Sequence, residues 1–391
     1  MISLSEARRI ITESLAPLAA TPVPLAAARG CVLAGPVLAD AWYPSGDRAM
    51  MDGYVVGAGE IPGDFSVTGE IQAGAIPDRA LGEGEAMRIF TGALVPEGGG
   101  RVIPQELAER EEDRVRFASC PEPLFIRAKG SEAKPGDIIL PTGALLGAAE
   151  LAMLAQVGAV SPLAVKRPVV RHIATGGEIV PPAQIPPEGK IRDTNTTLLH
   201  ALLADLGNGS VSSSHCADDP AALAGMCAET CDLLLISGGA SVGDYDFGAE
   251  ALRRLGFTIH FNKVNLRPGK PLTFATKGSQ AAFVIPGNPV SHFVCFHVAI
   301  RLAIELMSGK TPSWSFLDLE LDEGEPLRPD PRESFWPARA EVRSGTLVVS
   351  PLRWSTSGDT FSLAGTNALA LVNESSPSGN RVKTLLLAAP I

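Results

Sequence analysis

Between Arg167 and Met307 the chain alternates short apolar runs with amphipathic segments, and this alternation constrains the fold more than any other feature. The apolar runs have the length and composition of buried strands, and Leu233–Ile236 consists of apolar residues alone. Asp219 followed by Pro220 is typical of a helix start, with Asp at the N-cap and Pro at the first helical position. Strands that alternate with helices predict a multidomain α/β and β protein with a mostly parallel, doubly wound α/β domain in this region. The predicted strands are residues 169–174, 211–214, 233–236, 260–266 and 281–285, and the predicted helices are residues 196–206, 219–229, 247–255 and 290–307.

Three polar turns follow predicted strands, and ligands of doubly wound sheets bind outside the carboxyl ends of the strands. The turns are Ser237–Asp246, Arg267–Pro271 and Pro286–Pro289. Glycine lets backbone N–H groups approach a phosphate closely, and a helix that starts beyond the turn adds its positive dipole end. We therefore expect one anion site, with these residues of the first turn at its centre: Ser237, Gly238, Gly239, Ser241, Gly243, Asp244 and Asp246.

The carboxylates of Asp244 and Asp246 indicate a divalent cation, because a phosphate site has little other use for negative charge. Arg267 and Lys270 place two cations beside a rigid turn, which suits an oxyanion, although a solvated hairpin tip has the same sequence. Pro286, Asn288 and Pro289 either form a rim of the site or stiffen the entry to a helix.

Thr175–Glu178 follows the first predicted strand of the α/β region. One interpretation is a fourth wall of the same site, with Gly176 at the ligand and Glu178 as a metal ligand or polar clamp. The other is an ordinary loop between a strand and a helix, since short glycine-rich loops are frequent.

Composition limits the class of protein. A chain of 391 residues predicts about two to four domains. The net charge of -10 argues against non-specific binding to nucleic acid or to an anionic membrane, so an anion must be captured by local geometry. The six cysteines show no disulfide spacing, which suits a reducing compartment, and we expect the cytoplasm. The run Val290–Met307 carries too many polar groups for a membrane span.

The flanking regions have different periodicities. Ser3 and Glu6 predict a capped amphipathic helix that ends by Pro17, and residues 144–158 predict another helix. Residues 22–126 read as a β-rich module, and the chain after Pro312 reads as a small C-terminal β module. His215, Cys216, Cys227 and Cys231 raise the possibility of a zinc site, but the paired CxxC spacing is missing and core cysteines are the favoured interpretation.

Seven motifs, taken in order, resemble the molybdopterin molybdenumtransferase family, the MoeA proteins related to the E domain of gephyrin. They span nearly the whole chain: Met51–Tyr54, Arg88–Ala93, Thr175–Glu178, Asp193–Asn195, Ser237–Asp244, Pro268–Pro271 and Pro286–Pro289. The resemblance implies a homodimer of four-domain subunits with a molybdopterin-binding α/β domain, an inserted β domain and a C-terminal β barrel. The implied domains are residues 1–22 with 43–54 and 127–165, residues 23–42 with 55–126, residues 166–310, and residues 311–391.

The resemblance also implies a reaction. Adenylylated molybdopterin, made by a partner adenylyltransferase, binds with a divalent cation, expected to be Mg²⁺, and molybdate. The phosphoanhydride is cleaved, AMP leaves, and the dithiolene sulfurs fix molybdenum, with molybdoenzymes as possible recipients of the product.

Residue by residue, the resemblance implies three groups. Asp232 and Asp246 serve the pterin nucleotide and its metal, joined by Glu178. Asp52 and Thr91 match catalytic positions that face the α/β domain of the other subunit. The residues that bind phosphate or molybdate are Lys263, Arg267 and Lys270, with Ser357 and Arg339 of the last domain.

The chain departs from the family pattern at several positions. Gly177 replaces a usual Asp, Ala49 and Met50 replace a Ser, Gly100 interrupts a common Gly-Ala-Asp-Ala run, and Arg267 replaces a usual Lys. These departures leave two alternatives open, a non-catalytic molybdopterin-binding carrier or scaffold and a molybdopterin adenylyltransferase.

Overall fold

A computed structural model describes residues 1–217, 219–239, 247–312, 314–322, 324–376 and 379–388. The predicted site residues Ser241, Gly243, Asp244 and Asp246 lie outside these ranges. The chain forms two compact units, one of residues 1–23, 30–34 and 163–391 and the other of residues 24–29 and 35–162. The four-domain division remains a prediction.

The unit of residues 24–29 and 35–162 is built on a six-stranded sheet. Its alternating sequences place one face in a core that includes Phe65, Ile103 and Phe117, as the β-rich prediction requires. The strands, in spatial order, are Arg101–Pro104, Gly53–Val56, Glu85–Ile89, Gly63–Ile71, Arg114–Phe117 and Ala108–Glu111. The same unit contains the paired strands Arg48–Ala49 with Ile126–Arg127 and Val37–Leu38 with Ile138–Leu140, and the helices Leu25–Ala28, Gln105–Leu107 and Ala148–Gln156.

The other unit opens with the predicted N-terminal helix, Leu4–Ser14. The hydroxyl oxygen of Ser3 accepts a hydrogen bond from the backbone N–H of Glu6 at 3.1 Å, so Ser3 caps the helix. A three-stranded sheet follows, in the order Ala20–Pro22, Leu163–Val165 and Val32–Leu33.

The predicted α/β sheet is confirmed as mostly parallel. Its six strands run in the order Val211–Cys216, Val170–Thr175, Leu233–Ser237, Gln280–Ile285, Thr273–Lys277 and Thr258–Phe261. The first four are parallel, and the last two are added at one edge through antiparallel pairings, with only Thr273–Lys277 running opposite to the other five. A separate parallel pair, Ile179–Val180 with Ile191–Arg192, lies beyond the second strand.

Helices cover both faces of this sheet, which makes it doubly wound. Asn195–Asp205 and the long helix Pro289–Met307 pack on the face that carries Leu235 and Phe283. Pro220–Cys227 and Phe247–Arg254 pack on the face that carries Ile236 and Val284. Pro289–Met307 is continuous, with a π-helical segment at Phe296–Ile300, and its length and hydropathy would allow it to cross a membrane, but 89% of it is buried in this core.

The C-terminal region is a closed five-stranded barrel, as predicted. Its strands, in the order that closes the ring, are Glu333–Arg343, Thr346–Pro351, Phe316–Leu321, Arg381–Leu386 and Ala368–Val372, with a short helix at Thr360–Leu363. The predicted strand 260–266 is wrong in its bounds. The chain leaves the α/β sheet after Phe261, and Leu266–Arg267 pairs in parallel with Glu333–Ser334 at the barrel, where the ladder satisfies backbone hydrogen-bonding groups.

Candidate active site at the carboxyl edge of the parallel sheet

The carboxyl ends of three parallel strands open into a cavity of about 1280 Å³. Five loops line it, all from the unit that contains the α/β sheet and the barrel: residues 174–179, 237–239, 266–271, 286–289 and 354–361. The structure therefore brings together the described parts of the three polar turns and the Thr175–Glu178 loop. Side chains of the segment 190–195 complete the lining.

Glycine is required at the floor of the cavity. Gly238 has φ +87°, and a Cβ there would lie 2.7 Å from both the carbonyl and the hydroxyl oxygen of Thr175. The backbone N–H of Gly238 donates to the carbonyl of Ile285 at 3.0 Å, so this N–H serves the sheet edge and not a ligand. Gly239 also has a left-handed conformation, with φ +67°. The turn thus brings bare backbone next to Thr175, which only a residue without a side chain permits.

The Thr175–Glu178 loop forms one wall. Gly176 has φ +137°, and a Cβ at this position would lie 2.6 Å from a carboxylate oxygen of Glu178. The Glu178 side chain is exposed and lines the cavity. Lys190 donates a hydrogen bond to the carbonyl of Gly177, which fixes the loop from the neighbouring segment. Glu178 is therefore a carboxylate that a ligand in the cavity can reach.

Cationic side chains dominate the lining of the cavity among the described residues. They are Lys190, Arg192, Arg267, Lys270 and Arg332, against the carboxylates of Glu178 and Asp193. An oxyanion is the complementary ligand, because fixed cations near low-dielectric walls concentrate negative charge.

The two predicted cations, Arg267 and Lys270, differ in their surroundings. Arg267 pairs with Asp330 and lies 5.5 Å from the ring centroid of Trp354. Burial alone would raise the pKa of Asp330, but hydrogen bonds from Arg332 and Arg267 outweigh it and the pKa is lowered. Lys270 forms no ion pair with any described residue. Arg267 thus presents a planar guanidinium group held in place by Asp330, whereas Lys270 presents an ammonium group that is available to a ligand.

The Pro286–Pro289 turn joins the α/β region to the last domain. Asn288 is the N-cap residue and Pro289 the first residue of the long helix, as the sequence predicts. The amide Nδ2 of Asn288 donates to the hydroxyl of Ser357 at 2.7 Å, and the N–H of Val290 donates to the carbonyl of Ser357 at 3.0 Å. Ser357 therefore lies at the cavity, where the sequence placed it.

Three predicted residues of the unit that contains the cavity, among those the structure describes, do not line it. Asp232 precedes the strand Leu233–Ser237 and so lies at the amino end of that strand. The cavity is at the carboxyl end, about 15 Å away along the strand. Lys263 is exposed, with its carbonyl bonded to the N–H of Ile2. Arg339 is exposed on a barrel strand and pairs with Glu341 at 3.4 Å. The chain direction explains Asp232, because only the carboxyl end of a parallel strand reaches this edge.

Asp52 and Thr91 meet in the other unit. One carboxylate oxygen of Asp52 accepts the backbone N–H and the hydroxyl of Thr91, each at 2.7 Å. These two hydrogen bonds lower the pKa of Asp52, and Arg88 adds to the effect. The predicted pair is thus a preformed, ionised unit.

Sequence reasoning missed two aromatic residues at the cavity, Trp354 and Phe361. Phe361 is 92% exposed, which is unusual for a large apolar side chain. Trp354 packs edge-on against Trp336 with ring centroids 4.9 Å apart. The local sequence does not identify either residue as part of a site, because the segment 354–361 reaches the α/β domain only through the tertiary fold.

Metal donors are sparse in the described part of the chain, where no group of three His, Cys, Asp or Glu side chains could hold an ion. Cys216, Cys227 and Cys231 are buried, and burial raises the pKa of the Cys227 thiol to about 12. The favoured core interpretation of these cysteines agrees with their burial. Mg²⁺ needs only one or two protein carboxylates when phosphate oxygens and waters supply the other ligands, and Glu178 fits that requirement.

Comparison with known proteins covers nearly the whole chain. A model of the MoeA N-terminal region, domains I and II, matches residues 2–158. A model described as a probable molybdopterin binding domain matches residues 171–305, and one of the MoeA C-terminal region, domain IV, matches residues 321–387.

Similar proteins include molybdopterin molybdenumtransferases from two bacteria. The Nostoc sp. protein is 35% identical over 366 residues, which cover 90% of this chain and 84% of the relative. The Bacillus subtilis protein is 31% identical over 376 residues, which cover 91% of this chain and 87% of the relative. A crystal structure of the molybdopterin biosynthesis MoeA protein from Pyrococcus horikoshii superposes with a TM-score of 0.80 at 25% identity and covers 100% of both chains.

Proposed function

The chain belongs to the molybdopterin molybdenumtransferase family, and from this premise we propose that its cavity binds adenylylated molybdopterin and molybdate and releases AMP. Its activity is the insertion of molybdenum into molybdopterin in molybdenum cofactor biosynthesis. One observation carries the more detailed proposal: an acidic protein places five cations around one glycine-floored cavity.

The cations divide the anionic substrates between them. Lys270, without an ion pair among the described residues, and Arg267, held by Asp330, bind molybdate or phosphate oxygens. Ser357 adds a hydroxyl from the last domain. Fixed donors of this kind stabilise charge that develops on oxygen as the phosphoanhydride breaks.

The aromatic rings provide a surface for the flat parts of the substrate. Phe361 is exposed at the cavity and Trp354 is fixed by Trp336 and Arg267. Stacking of a heterocycle on an aromatic ring contributes about 1–3 kcal/mol. We assign the pterin or the adenine to Phe361.

Glu178 and Asp246 are the residues that would hold Mg²⁺. The ion, when bound, would neutralise charge on the phosphoanhydride. The turn that contains Asp246 also includes Ser241, Gly243 and Asp244. These residues, with Gly176, Gly239 and Pro286, would surround the nucleotide.

Asp52 and Thr91 complete the site from a second subunit in this proposal. Their preformed hydrogen-bonded pair supports a catalytic role, since an ionised carboxylate fixed by two donors can orient water or a hydroxyl. The protein would then act as a homodimer, take its substrate from a molybdopterin adenylyltransferase and pass its product to molybdoenzymes.

Two experiments test the proposal. Incubation with adenylylated molybdopterin, Mg²⁺ and molybdate should release AMP only when molybdate is present. Lys270→Ala should raise the molybdate concentration needed for half-maximal rate at least ~10-fold, because a charge-assisted contact is lost. Lys277→Ala is the matched control, since Lys277 lies 6.0 Å from the Phe257 ring outside the cavity. AMP release that does not depend on molybdate would contradict the proposed reaction.

The shared site has its own test. Asp52→Asn and Lys270→Ala are mixed after subunit exchange and assayed at a molybdate concentration low enough that each is nearly inactive alone. Heterodimers then contain one site with both defects and one intact site, so about a quarter of wild-type activity should return. Activity that stays at the level of the separate variants would place Asp52 outside a shared site.

A further inference from the structure

A row of polar side chains runs from the floor of the cavity to the edge of the parallel sheet. Oγ of Ser237 lies 2.7 Å from Nε2 of His172, and Nδ1 of His172 lies 3.3 Å from Oγ of Ser213. Oγ of Ser213 in turn lies 2.6 Å from Nε2 of His200. Hydroxyl and imidazole groups alternate, so each can accept a proton on one side and donate one on the other.

The exposure of these residues changes along the row. Ser237 is 2% exposed at the cavity floor, and His172 is fully buried. Ser213 is exposed on the edge strand Val211–Cys216, and His200 is half-buried on the helix Asn195–Asp205. A single buried imidazole therefore separates the cavity from solvent at the sheet edge.

The sheet register sets this geometry. His172 and Ser213 are direct partners in the parallel ladder, so their side chains lie on the same face. Leu235 is the partner of His172 on the other side, and Ser237, two residues further along, shares that face. The row is thus determined by strand pairing and not by a flexible loop.

His172 is neutral at pH 7. Burial lowers the pKa of His172 to about 4, opposed by the negative charge of Asp193 and reinforced by His200. Nε2 then accepts the hydroxyl proton of Ser237, while Nδ1–H donates to Ser213, whose hydroxyl donates to His200. Thr196 lies further from Nδ1, at 3.5 Å, and is bonded to Asp193.

His292 faces the same serine from the long helix. Its Nδ1 lies 3.4 Å from Oγ of Ser237, and burial lowers the pKa of His292 to about 3. A neutral His292 donates its single ring proton to the carbonyl of Pro286, so it can support Ser237 but that proton is already engaged.

We propose that Ser237, His172, Ser213 and His200 form a proton wire from the active site to solvent. The proposal rests on the proposed phosphoanhydride cleavage by water. Hydrolysis converts a disubstituted pyrophosphate into two phosphate monoesters and releases two protons where both products are dianions, above a pKa of about 6. A substrate that fills the cavity covers its mouth, whereas the wire begins at the floor.

The first proton moves in a sequence of steps, and His172 must then return from the Nε2–H to the Nδ1–H tautomer, with both hydroxyls turned back, before the second proton can follow. Ser237 accepts a proton at Oγ as its own hydroxyl proton passes to Nε2 of His172. The Nδ1 proton of His172 passes to Ser213, and the Ser213 hydroxyl proton passes to Nε2 of His200. The resulting imidazolium of His200 gives a proton to water.

The test compares two wire variants with two matched controls in single-turnover AMP release. His172→Leu should slow release about 100-fold, the lower end of the range for a lost proton transfer, and Ser213→Ala only about 10-fold, because water can replace an exposed hydroxyl. His297→Leu removes another buried imidazole, whose ring nitrogens have no partner in the described part of the chain. Ser212→Ala removes the neighbouring exposed hydroxyl of the same strand. Both controls should keep the wild-type rate.

Two readouts separate proton transfer from a structural effect. The solvent deuterium isotope effect and the pH profile of release should change in the wire variants and not in the controls. Imidazole buffer should restore His200→Gln, because the missing group is at the solvent end, and should not restore His172→Leu. Wild-type rates and pH profiles in both wire variants, or equal losses in the controls, would overturn the wire.

A readout without turnover keeps the wire distinct from the reaction. If the wild type releases no AMP, the proposed reaction fails and the wire is judged by NMR of the ¹⁵N-histidine-labelled full chain at pH 7. His172 should be the neutral Nδ1–H tautomer, with a resonance that responds to Ser213→Ala and not to Ser212→Ala. A charged His172, or the Nε2–H tautomer, would overturn the wire.

Discussion

The two ends of the strand Leu233–Ser237 carry polar residues with opposite roles. At the amino end, the Asp232 carboxylate accepts the N–H of Val169 at 2.8 Å and lies 3.4 Å from Nζ of Lys166. The backbone N–H of Asp232 also donates to the carbonyl of Val169 at 2.9 Å. These contacts join Asp232 to the segment that precedes the neighbouring strand Val170–Thr175, so its carboxylate helps to hold the two strands together.

At the carboxyl end, Ser237 bonds buried His172 at the floor of the cavity, and Gly238 follows in a left-handed conformation. This end is not optimised only for stability, because burying imidazoles has an energetic cost. A polar residue beside a buried strand is therefore a site candidate only at the end that faces the cavity.

The largest expected effect is at the carboxyl end. Gly238→Ala forces a Cβ to within 2.7 Å of the Thr175 oxygens at φ +87°, so we expect a loss of roughly 3–5 kcal/mol in unfolding free energy, with activity abolished. Gly256→Ala is the control, since Gly256 has φ +82° but open space around it, and should lose only about 1–2 kcal/mol. Urea unfolding measures both. Equal losses would show that the contact with Thr175 is unimportant.

The buried histidines at the carboxyl end should make stability depend on pH. Burial lowers the pKa of His172 to about 4, whereas the unfolded chain takes up this proton near 6.5, so the stabilisation is complete above 6.5 and is lost as pH falls towards 4. The slope is at most about 1.4 kcal/mol per pH unit for each such histidine. Unfolding free energies of wild type and His172→Leu between these pH values test this. An unchanged slope in His172→Leu would contradict it.

A smaller effect on stability is expected at the amino end. Asp232→Ala should lower the unfolding free energy by about 1 kcal/mol, the net value of a lost hydrogen bond, and leave the molybdate dependence unchanged. Ser237→Ala should slow AMP release, and it should also lower the unfolding free energy by about 1–3 kcal/mol because Nε2 of buried His172 loses its partner. A raised molybdate requirement in folded Asp232→Ala would break the contrast between the two ends.

The smallest effect on stability is expected beyond the carboxyl end, at Phe361. Because this ring is 92% exposed, Phe361→Ala should change the unfolding free energy by less than about 0.5 kcal/mol. Loss of stacking should still weaken binding of the pterin nucleotide about 10-fold, which titration calorimetry measures. Phe361→Tyr keeps the ring and should bind as the wild type does. Unchanged binding in Phe361→Ala would remove the ring from the site.

Much of the fold could be predicted because the signals are local. The Ser3 cap, the buried run Leu233–Ile236 and the helix entry at Asn288 each depend on neighbours in the chain. The strand Thr273–Lys277 was not predicted, and residues 260–266 were given to one strand, because antiparallel additions at a sheet edge follow no alternation of strand and helix.

The candidate site was predicted only in part. The turns at the carboxyl ends were found because parallel strands must bring them to one edge. Asp232 was assigned to the site by family resemblance, and the strand direction places it at the other edge. Trp354 and Phe361 were missed, since they meet the α/β domain from a barrel loop far along the chain.

The family, the doubly wound sheet and the glycine turns follow from the amino-acid sequence, because periodicity and backbone restrictions act within a few residues. Three further features follow from the folded chain: which end of the strand Leu233–Ser237 faces the cavity, that aromatic rings line it, and that His172 joins Ser237 to Ser213. These features depend on strand order and register, which bring together residues that are distant in sequence and that no local pattern relates.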